Sequence, residues 1–223
     1  YEMFLDEKGE KISKSKGNGI TIEQWLNYAS PESLSLYMYQ NPKRAKKLYT
    51  DVVPKAVDEY LACIDKFTKQ DEKEKLLNPV WHVHNGRPPK EKLIMPFSVL
   101  LNLVGTSNAT DKEVLWKFIK KNKRDIKVSD YPILDGLVGY ALKYFKDIVK
   151  PNKKYRKPND KEKKALQELV KRLKDCKEHT DPEAIQTIVY SVGKDKGYKE
   201  NLREWFKAIY EIVFGDQDGP RMG

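Results

Sequence analysis

The segment Lys11-Ile12-Ser13-Lys14-Ser15-Lys16-Gly17-Asn18 carries the strongest chemical signal in the sequence. Lysines three residues apart, with a serine between them and a glycine after them, are typical of a flexible cationic loop. The ammonium groups, hydroxyls and backbone amides of such a loop can wrap an anion. The alternative is a solvated loop with no ligand, because lysine and serine are common in loops.

An ATP reaction that expels pyrophosphate would use a loop of this kind, because negative charge builds on the leaving oxygens. Donors placed where that charge develops lower the barrier, and one such donor is typically worth roughly a hundredfold to a thousandfold in rate. Lysine suits this task because its ammonium group is a mobile point charge on a long stem.

The segment resembles the KMSKS signature of class I aminoacyl-tRNA synthetases in its extended form, with Ile12 in the usual place of methionine. The helix that opens with Ser30-Pro31-Glu32-Ser33-Leu34 is also similar to that family. Within the family, Asn41-Pro42-Lys43-Arg44-Ala45-Lys46 and the tail at residues 205–211 and 219–223 resemble the class I lysyl enzymes. The resemblance covers most of the chain and is weak between residues 71 and 159.

The resemblance implies activation of lysine with ATP and Mg²⁺ to lysyl-adenylate, followed by transfer of lysine to the 3′ end of tRNA(Lys). By the motif, Lys14 would contact the ATP phosphates and Lys11 would assist, so these two are the predicted catalytic residues. Ser13 and Ser15 would hydrogen-bond within the loop, and Gly17 would permit its bend. All five are the predicted ATP-binding residues.

The same family needs a nucleotide-binding Rossmann domain with a HIGH-type histidine motif ahead of the KMSKS loop. The segment His82-Val83-His84-Asn85-Gly86 has the wrong order and pattern to replace that motif. The chain also opens at Tyr1 without methionine, which is typical of an internal start. We therefore expect a C-terminal part of a synthetase, from the KMSKS loop through the anticodon-binding region, that cannot form adenylate alone.

The charge balance is basic, with 43 Lys and Arg against 33 Asp and Glu and a net charge of +10. Such an excess attracts polyanions, because neutralised phosphates release condensed counterions. It would also suit an anionic membrane surface, and many soluble proteins are basic, so charge alone favours nucleic acid only modestly. No apolar run is long enough to span a bilayer and no secretory signal is present, so we expect a cytoplasmic protein.

Three basic clusters are candidates for RNA binding. The first occupies a predicted helix start at residues 43–47, the second follows Trp116, and the third, residues 150–164, holds eight Lys or Arg against two acids. Single-stranded RNA, such as an anticodon, is gripped by phosphate contacts and by stacking on aromatic or guanidinium groups. Tyr155 with Arg156 is the first predicted base contact and Trp116 the second. The alternative is a solvated charged loop with a core tryptophan. The predicted tRNA-binding residues are Lys43, Arg44, Trp116, Lys120, Lys121, Tyr155 and Arg156.

Neither the cysteines nor the histidines form a metal-ligand pattern. For Cys63 and Cys176 we favour buried reduced thiols over a disulfide or a metal site, which fits a reducing cytoplasm. His82 and His84 could face one ligand, but no third ligand is in view, so packing or loop hydrogen bonding is favoured. His179 lies near a predicted helix C-terminus, where charge complementarity explains it. We predict no metal site.

The elements that must position these residues are nearly all helical. A short strand is predicted at residues 1–5, and helices at 23–29, from an N-cap at Ser30 to about residue 40, at 53–67 and at 132–149. Residues 81–89 are predicted to be irregular. Capping boxes are predicted where a capping residue precedes a glutamate by three positions. These pairs are Thr110 with Glu113, Asn159 with Glu162, and Thr180 with Glu183. Core faces are predicted at residues 166–176 and 202–213, the last helix ending at Gly215.

The predicted fold is all-α, a helical bundle or cage of the anticodon-binding type preceded by a short KMSKS-loop remnant of a Rossmann-type catalytic domain. Residues 1–22 would be the remnant, 23–78 a helical connector, and 79–223 the anticodon-binding domain. We expect a monomer whose partners are tRNA(Lys) and, in the full-length parent, ATP and lysine. Two alternatives remain open: a non-catalytic basic helical RNA-binding module, and a helical protein-interaction domain.

Overall fold

A computed structural model describes residues 3–13, 15–92, 95–122, 126–176, 181–217 and 219. Lys14, His179 and Thr180, for which the sequence makes predictions, lie outside the described residues. The described part is mostly helical and contains one sheet of two short strands, which confirms the all-α prediction. None of its helices combines the length and the apolar character that crossing a membrane requires.

In chain order, the helices and strands of the described residues are β1 (Phe4–Leu5), α1 (Ile22–Leu26), α2 (Pro31–Tyr39), β2 (Lys46–Lys47), α3 (Val52–Lys69), α4 (Glu72–Leu77), α5 (Pro79–Val83), α6 (Phe97–Ser107), α7 (Lys112–Asn122), α8 (Pro132–Tyr144), α9 (Lys150–Asn152), α10 (Asp160–Asp175), α11 (Pro182–Gly193) and α12 (Leu202–Ile209). A 3₁₀ turn at Val128–Asp130 precedes α8, and π-helical turns at Phe145–Val149 and Tyr210–Phe214 extend α8 and α12.

The chain forms two compact units, residues 1–151 and 152–223. The predicted boundary at residue 79 lies inside the first unit. Ile64 of α3, Val80 of α5 and Phe97 of α6 are all fully buried in one core, so the chain on both sides of residue 79 packs together. Residues 81–89 are not wholly irregular either. Asn78 accepts a hydrogen bond from the Val80 amide and starts the short helix α5.

Helix α3 supplies the largest share of the first core. Its buried residues recur every three or four positions, as one helix face requires: Val53, Ala56, Val57, Tyr60, Leu61 and Ile64. Trp25 of α1 and Leu36 of α2 are also fully buried in this core. Burying one large apolar side chain stabilises a fold by about 1.5–3 kcal/mol.

Local capping explains where most helices begin. The Ser30 side chain accepts from the Ser33 amide ahead of Pro31, and Asn159 and Glu162 form a reciprocal capping box, as predicted. The Thr110 capping box is wrong by one residue. The Asp111 carboxylate accepts from the Val114 amide at 2.9 Å, because a carboxylate is an effective cap and lies directly before the first turn.

The strand β2 was not predicted. The sequence placed Lys43, Arg44, Lys46 and Lys47 at a helix start, and this is wrong. Asn41, beside Pro42, adopts a left-handed conformation (φ 49°) and ends the helical run. The Lys46 amide then donates to the Met3 carbonyl at 2.9 Å, so the segment pairs in parallel with β1.

The second unit packs around Trp205, which is fully buried. Its indole N–H donates to the Val189 carbonyl of α11 at 2.9 Å. Gly193 lies so close that a Cβ there would be 2.5 Å from the Trp205 ring, which accounts for a glycine at the predicted end of α11. Gly215 (φ 71°) stops the last helical segment, as predicted.

Two helix starts in the first unit depend on carboxylates far away in sequence. Asp58 of α3 accepts from the amides of Phe97 and Ser98 at 2.6 and 3.3 Å, and caps α6. Glu91 accepts from the amides of Ile133 and Leu134 at 2.8 and 2.9 Å, and caps α8. These bonds satisfy amide donors that a helix leaves unpaired at its start.

We expect Asp58→Ala to lower the free energy of unfolding by about 1–2 kcal/mol, because it removes the cap of α6. Asp65→Ala is the matched control on the same helix, since the Asp65 carboxylate forms an exposed ion pair with Lys69. Its effect should stay below about 1 kcal/mol. Urea unfolding followed by circular dichroism measures both, and equal losses would contradict the capping role.

Candidate functional site

The cationic loop begins on a β-hairpin that includes β1. The Ile12 amide donates to the Phe4 carbonyl at 2.9 Å, and Leu5 and Lys11 form an antiparallel bridge. The Asp6 amide donates to the Glu10 carbonyl at 2.8 Å, and Gly9 turns the chain with φ 84°. Lys11 therefore lies at the end of a hydrogen-bonded hairpin, where the loop leaves it.

Ser13 organises the turn that follows. Its carbonyl accepts from the amides of Lys16 and Gly17 at 3.2 and 3.1 Å, and its hydroxyl lies 3.3 Å from that of Ser15. Gly17 has φ 59°, a left-handed conformation that strains other residues. Hydrogen-bonding serines and a bending glycine are what the ATP-loop interpretation requires of these positions, and their contact with ATP stays a prediction.

One side chain, Asn18, closes the loop. Its amide oxygen accepts from the Ser13 backbone amide at 3.1 Å. Its amide nitrogen donates to the Asp6 carboxylate at 2.7 Å and to the Lys11 carbonyl at 3.3 Å. The hydrogen bond from Asn18 holds the pKa of the Asp6 carboxyl below its usual value. Asn18 thus ties the start of the loop to its end.

Asp6 and Asn18 are absent from the predicted site residues. Asn18 stands in the quoted motif, but the sequence gives no partner for it. Asp6 is one of many acids in a turn-rich segment, and its role depends on a contact across 12 residues. Only the folded hairpin brings the two together.

The loop keeps cationic groups available. Lys11 is exposed, and its ammonium group makes no hydrogen bond or ion pair with a described residue. Lys16 lies 3.4 Å from Glu10, but both side chains are more than half exposed, so this pair contributes little. The loop can therefore offer at least the ammonium group of Lys11 to an anion, whereas the amides of Ser13, Lys16 and Gly17 are already bonded within the loop.

Trp116 occupies the core rather than the surface. It is 5% exposed, and its indole N–H donates to Asp135 at 2.9 Å. Lys112 pairs with the same carboxylate at 2.6 Å. The structure therefore agrees with the alternative interpretation of Trp116, a core residue rather than a base contact. Lys120 and Lys121 lie exposed on the last turn of α7, and Lys43 and Arg44 lie exposed in the turn before β2.

Arg156 is engaged inside the second unit. Its guanidinium donates to both oxygens of Glu162 at 2.8 Å and to Glu211 at 2.5 Å. These bonds hold the pKa of both carboxyls below the usual range. A bidentate pair of this geometry fixes the guanidinium plane. Arg156 therefore joins its segment to α10 and to the end of α12, and most of its N–H donors are occupied.

Tyr155 points the opposite way, with 61% of its surface exposed. A Cβ at Gly215 would lie 3.1 Å from its ring, so the ring rests against backbone there. Lys154 and Lys157 are exposed on either side of it in the sequence. Lys153, by contrast, donates to the Phe214 carbonyl at 2.6 Å and pairs with Asp216 at 2.9 Å. We call Lys154, Tyr155 and Lys157 the outward basic face.

His82 and His84 pack and hydrogen-bond as the sequence favoured. His82 donates through Nε2 to the Leu76 carbonyl at 2.9 Å and stacks on Tyr39. His84 Nε2 lies 3.0 Å from the Tyr60 hydroxyl. Among the residues that the structure describes, no three His, Cys, Asp or Glu side chains cluster as they would around a metal ion. Cys63 and Cys176 are partly buried free thiols, and burial raises the pKa of the Cys63 thiol.

Comparison with known proteins places this geometry in context. Residues 1–87 match the family described as tRNA synthetases class I (K). The chain is 48% identical over 223 residues to a lysine–tRNA ligase of Roseobacter denitrificans, and 47% identical over 225 residues to those of Rickettsia peacockii and Rickettsia bellii. The chain is similar to lysine–tRNA ligases along its whole length. Each match covers 100% of this chain but only 42% or 43% of the relative, so the chain spans about two fifths of their length.

We expect Asn18→Ala to raise the pKa of Asp6 towards its ordinary value, because the hydrogen bond that favours the charged carboxylate is lost. In the native chain, Asp6 should therefore stay charged to a lower pH than in the variant. A ¹³C NMR titration of the Asp6 carboxyl measures this shift. Thr21→Ala is the control, because it removes a nearby cap that does not contact Asp6. An unchanged Asp6 pKa in Asn18→Ala would rule out the hydrogen bond between Asn18 and Asp6.

Proposed function

We propose that this chain is part of a lysine–tRNA ligase, in which it supplies a loop for the ATP phosphates and a surface for tRNA(Lys). The observation that carries this proposal is 48% identity over the full length of the chain to a protein of that name. The hairpin loop closed by Asn18 supports it, because it combines an exposed Lys11 with serines and a glycine that shape a tight turn.

In the proposed reaction, ATP activates lysine and pyrophosphate leaves. Lys14 and Lys11 would neutralise the charge that develops on the leaving oxygens, while Ser13, Ser15 and Gly17 shape the loop around them. Mg²⁺ is held mainly by the phosphates of its nucleotide and by one or two carboxylates. In this proposal the ion would arrive with ATP.

The proposed tRNA surface includes the outward basic face. Lys154 and Lys157 are placed to contact phosphates, and the exposed ring of Tyr155 offers a base a surface on which to stack. Lys43, Arg44, Lys120 and Lys121 are further exposed cations that could contact the RNA backbone. We do not include the donors of Arg156 or the ring of Trp116, since carboxylates engage both residues.

This proposal keeps the functional division made from the sequence. Residues 1–22 would handle phosphate, 23–78 would connect, and 79–223 would contact the anticodon of tRNA(Lys), with a monomer acting in the cytoplasm. A purely RNA-binding module or a protein-interaction domain is less favoured, because neither explains the match to tRNA synthetases over residues 1–87.

The decisive experiment uses the complete protein that contains this chain. We expect Lys14→Ala to slow lysine-dependent ATP–pyrophosphate exchange by roughly a hundredfold to a thousandfold, and Lys11→Ala to slow it less. Lysine affinity should be unchanged, because neither ammonium group is assigned to the amino acid. The control Lys66→Ala, on the exposed face of α3, should exchange normally. Full activity in both loop variants would refute the phosphate role.

A second experiment tests the outward basic face in this chain. The double variant Lys154→Gln/Lys157→Gln should weaken binding of tRNA(Lys) and reduce the slope of log affinity against log salt by about 1–2, because two phosphate contacts are lost. Tyr155→Ala should weaken binding roughly 5- to 150-fold with the slope unchanged, since stacking is not ionic. Lys199→Gln, an exposed lysine of the same unit, is the matched control. Identical slopes in all variants would exclude the outward basic face as a surface that contacts tRNA phosphates.

A further inference from the structure

A cavity of about 410 Å³ lies in the first unit, apart from the phosphate loop and the outward basic face. Its lining comes from the first turn of α2, from α3, from the segment after α5, and from the start of α8. Cavities of this size hold small organic ligands. Nothing in the proposed reaction of the loop uses it.

The lining combines flat apolar walls with a few polar groups. Val57, Ile133 and Leu137 supply apolar surface, and Tyr60 and His84 stack nearly in parallel with ring centroids 5.9 Å apart. Burial lowers the pKa of His84, which favours its neutral imidazole. Apolar walls with convergent polar groups suit a planar ring that carries its own hydrogen-bonding atoms.

Two charged residues of opposite sign also line the cavity. Glu32 is half-buried and Arg87 is exposed, and neither side chain makes a hydrogen bond or ion pair with a described residue. A carboxylate inside favours N–H donors and repels phosphate. The amides of Ile133 and Leu134 cannot bind an anion there either, since Glu91 already accepts from both.

We propose that this cavity binds one nucleobase of a single-stranded segment of RNA, with the base inside and its phosphate beside Arg87. Glu32 accepts an N–H of the base, and the apolar wall packs against the ring. This inference rests on the proposed function, because the RNA is taken to be the tRNA that the chain binds. A base splayed out of an RNA loop is already unstacked, so entering a cavity costs it little.

RNA is favoured over a free nucleotide because of where the charges lie. A free nucleotide brings two or more negative charges close to Glu32, and one exposed guanidinium offsets them only in part. A nucleotide within RNA brings a single phosphate to the rim. Lys90, exposed next to the lining residue Pro89, can contact the neighbouring phosphate of the same strand.

Gly136 of α8 provides a variant that fills the cavity without disturbing the fold. It lines the cavity, and a Cβ built on it meets no atom within 4 Å. Replacing a glycine inside a helix also removes the extra conformational entropy that glycine loses on folding. Gly136→Leu therefore occupies the cavity, whereas Gly136→Ala, its matched control, adds one methyl group and leaves most of the space open.

The test measures binding of tRNA(Lys) and of the four nucleoside 5′-monophosphates to this chain, with ribose 5-phosphate as the probe that lacks a base. We expect Gly136→Leu to weaken tRNA(Lys) binding at least about tenfold, with Gly136→Ala close to native. Because Glu32 repels the charged phosphate, the free monophosphates should bind only weakly. Saturation-transfer NMR detects weak binding and should still show base protons of at least one monophosphate in contact with the native chain and not with Gly136→Leu. Glu32→Gln, which keeps the shape of the side chain, should weaken the same binding several-fold.

Equal tRNA(Lys) affinity in the native chain and Gly136→Leu would overturn the inference while leaving the proposed function intact. Loss of monophosphate binding with no change for tRNA(Lys) would overturn it as well, because the base would then come from a free nucleotide. Failure of the native chain to bind tRNA(Lys) would instead refute the proposed tRNA surface, so the two failures are distinguishable.

Discussion

The conformation of the cationic loop depends on the hydrogen bonds of one amide side chain, that of Asn18. Lysines close together in sequence repel one another, so a loop that carries them opens unless something neutral holds it. Asn18 does this by bonding the Asp6 carboxylate, the Lys11 carbonyl and the Ser13 amide at once. The uncharged Asn18 side chain does not pair with the exposed Lys11 ammonium group, whereas a carboxylate at that position would attract it. The parallel pairing of β1 with β2 then fixes the hairpin to the helices.

The basic segment at residues 153–157 shows how a charged sequence divides between structure and binding. Lys153 and Arg156 bond to carbonyls and carboxylates of their own unit, while Lys154, Tyr155 and Lys157 face solvent. The Lys153 side chain is only 6% exposed, and a buried cation needs partners because desolvation is costly. Lys153 and Arg156 therefore use their charge to hold the segment in place. The net charge of the segment overstates the charge available to a polyanion, because only the exposed residues Lys154, Tyr155 and Lys157 remain for such contacts.

The sequence predicted interactions between residues close together in the chain better than interactions between residues far apart in it. The Ser30 and Asn159 caps, the helix faces and the stop at Gly215 follow from residues within one turn of each other, and they were predicted correctly. The strand β2 was missed because its pairing with β1 spans some 40 residues. The Asn18–Asp6 contact and the pairing of Arg156 with Glu211, which span 12 and 55 residues, were missed for the same reason. Counting charges along a sequence does not show which Lys and Arg side chains form ion pairs with acidic residues in the folded chain.

In two places of the first unit, a carboxylate caps the start of a helix that is distant in sequence. Asp58 of α3 and Glu91, which precedes α6, each accept two amides at the start of a helix distant in sequence, so α6 and α8 offer fewer free donors to an anion. Glu32 is different, because its carboxylate faces a cavity without a described partner. In a chain of net charge +10, an acid left unpaired beside an apolar wall selects against phosphate and for the neutral part of a nucleotide. The same chain can thereby attract a polyanion with its exposed lysines and still receive an uncharged ring in its interior.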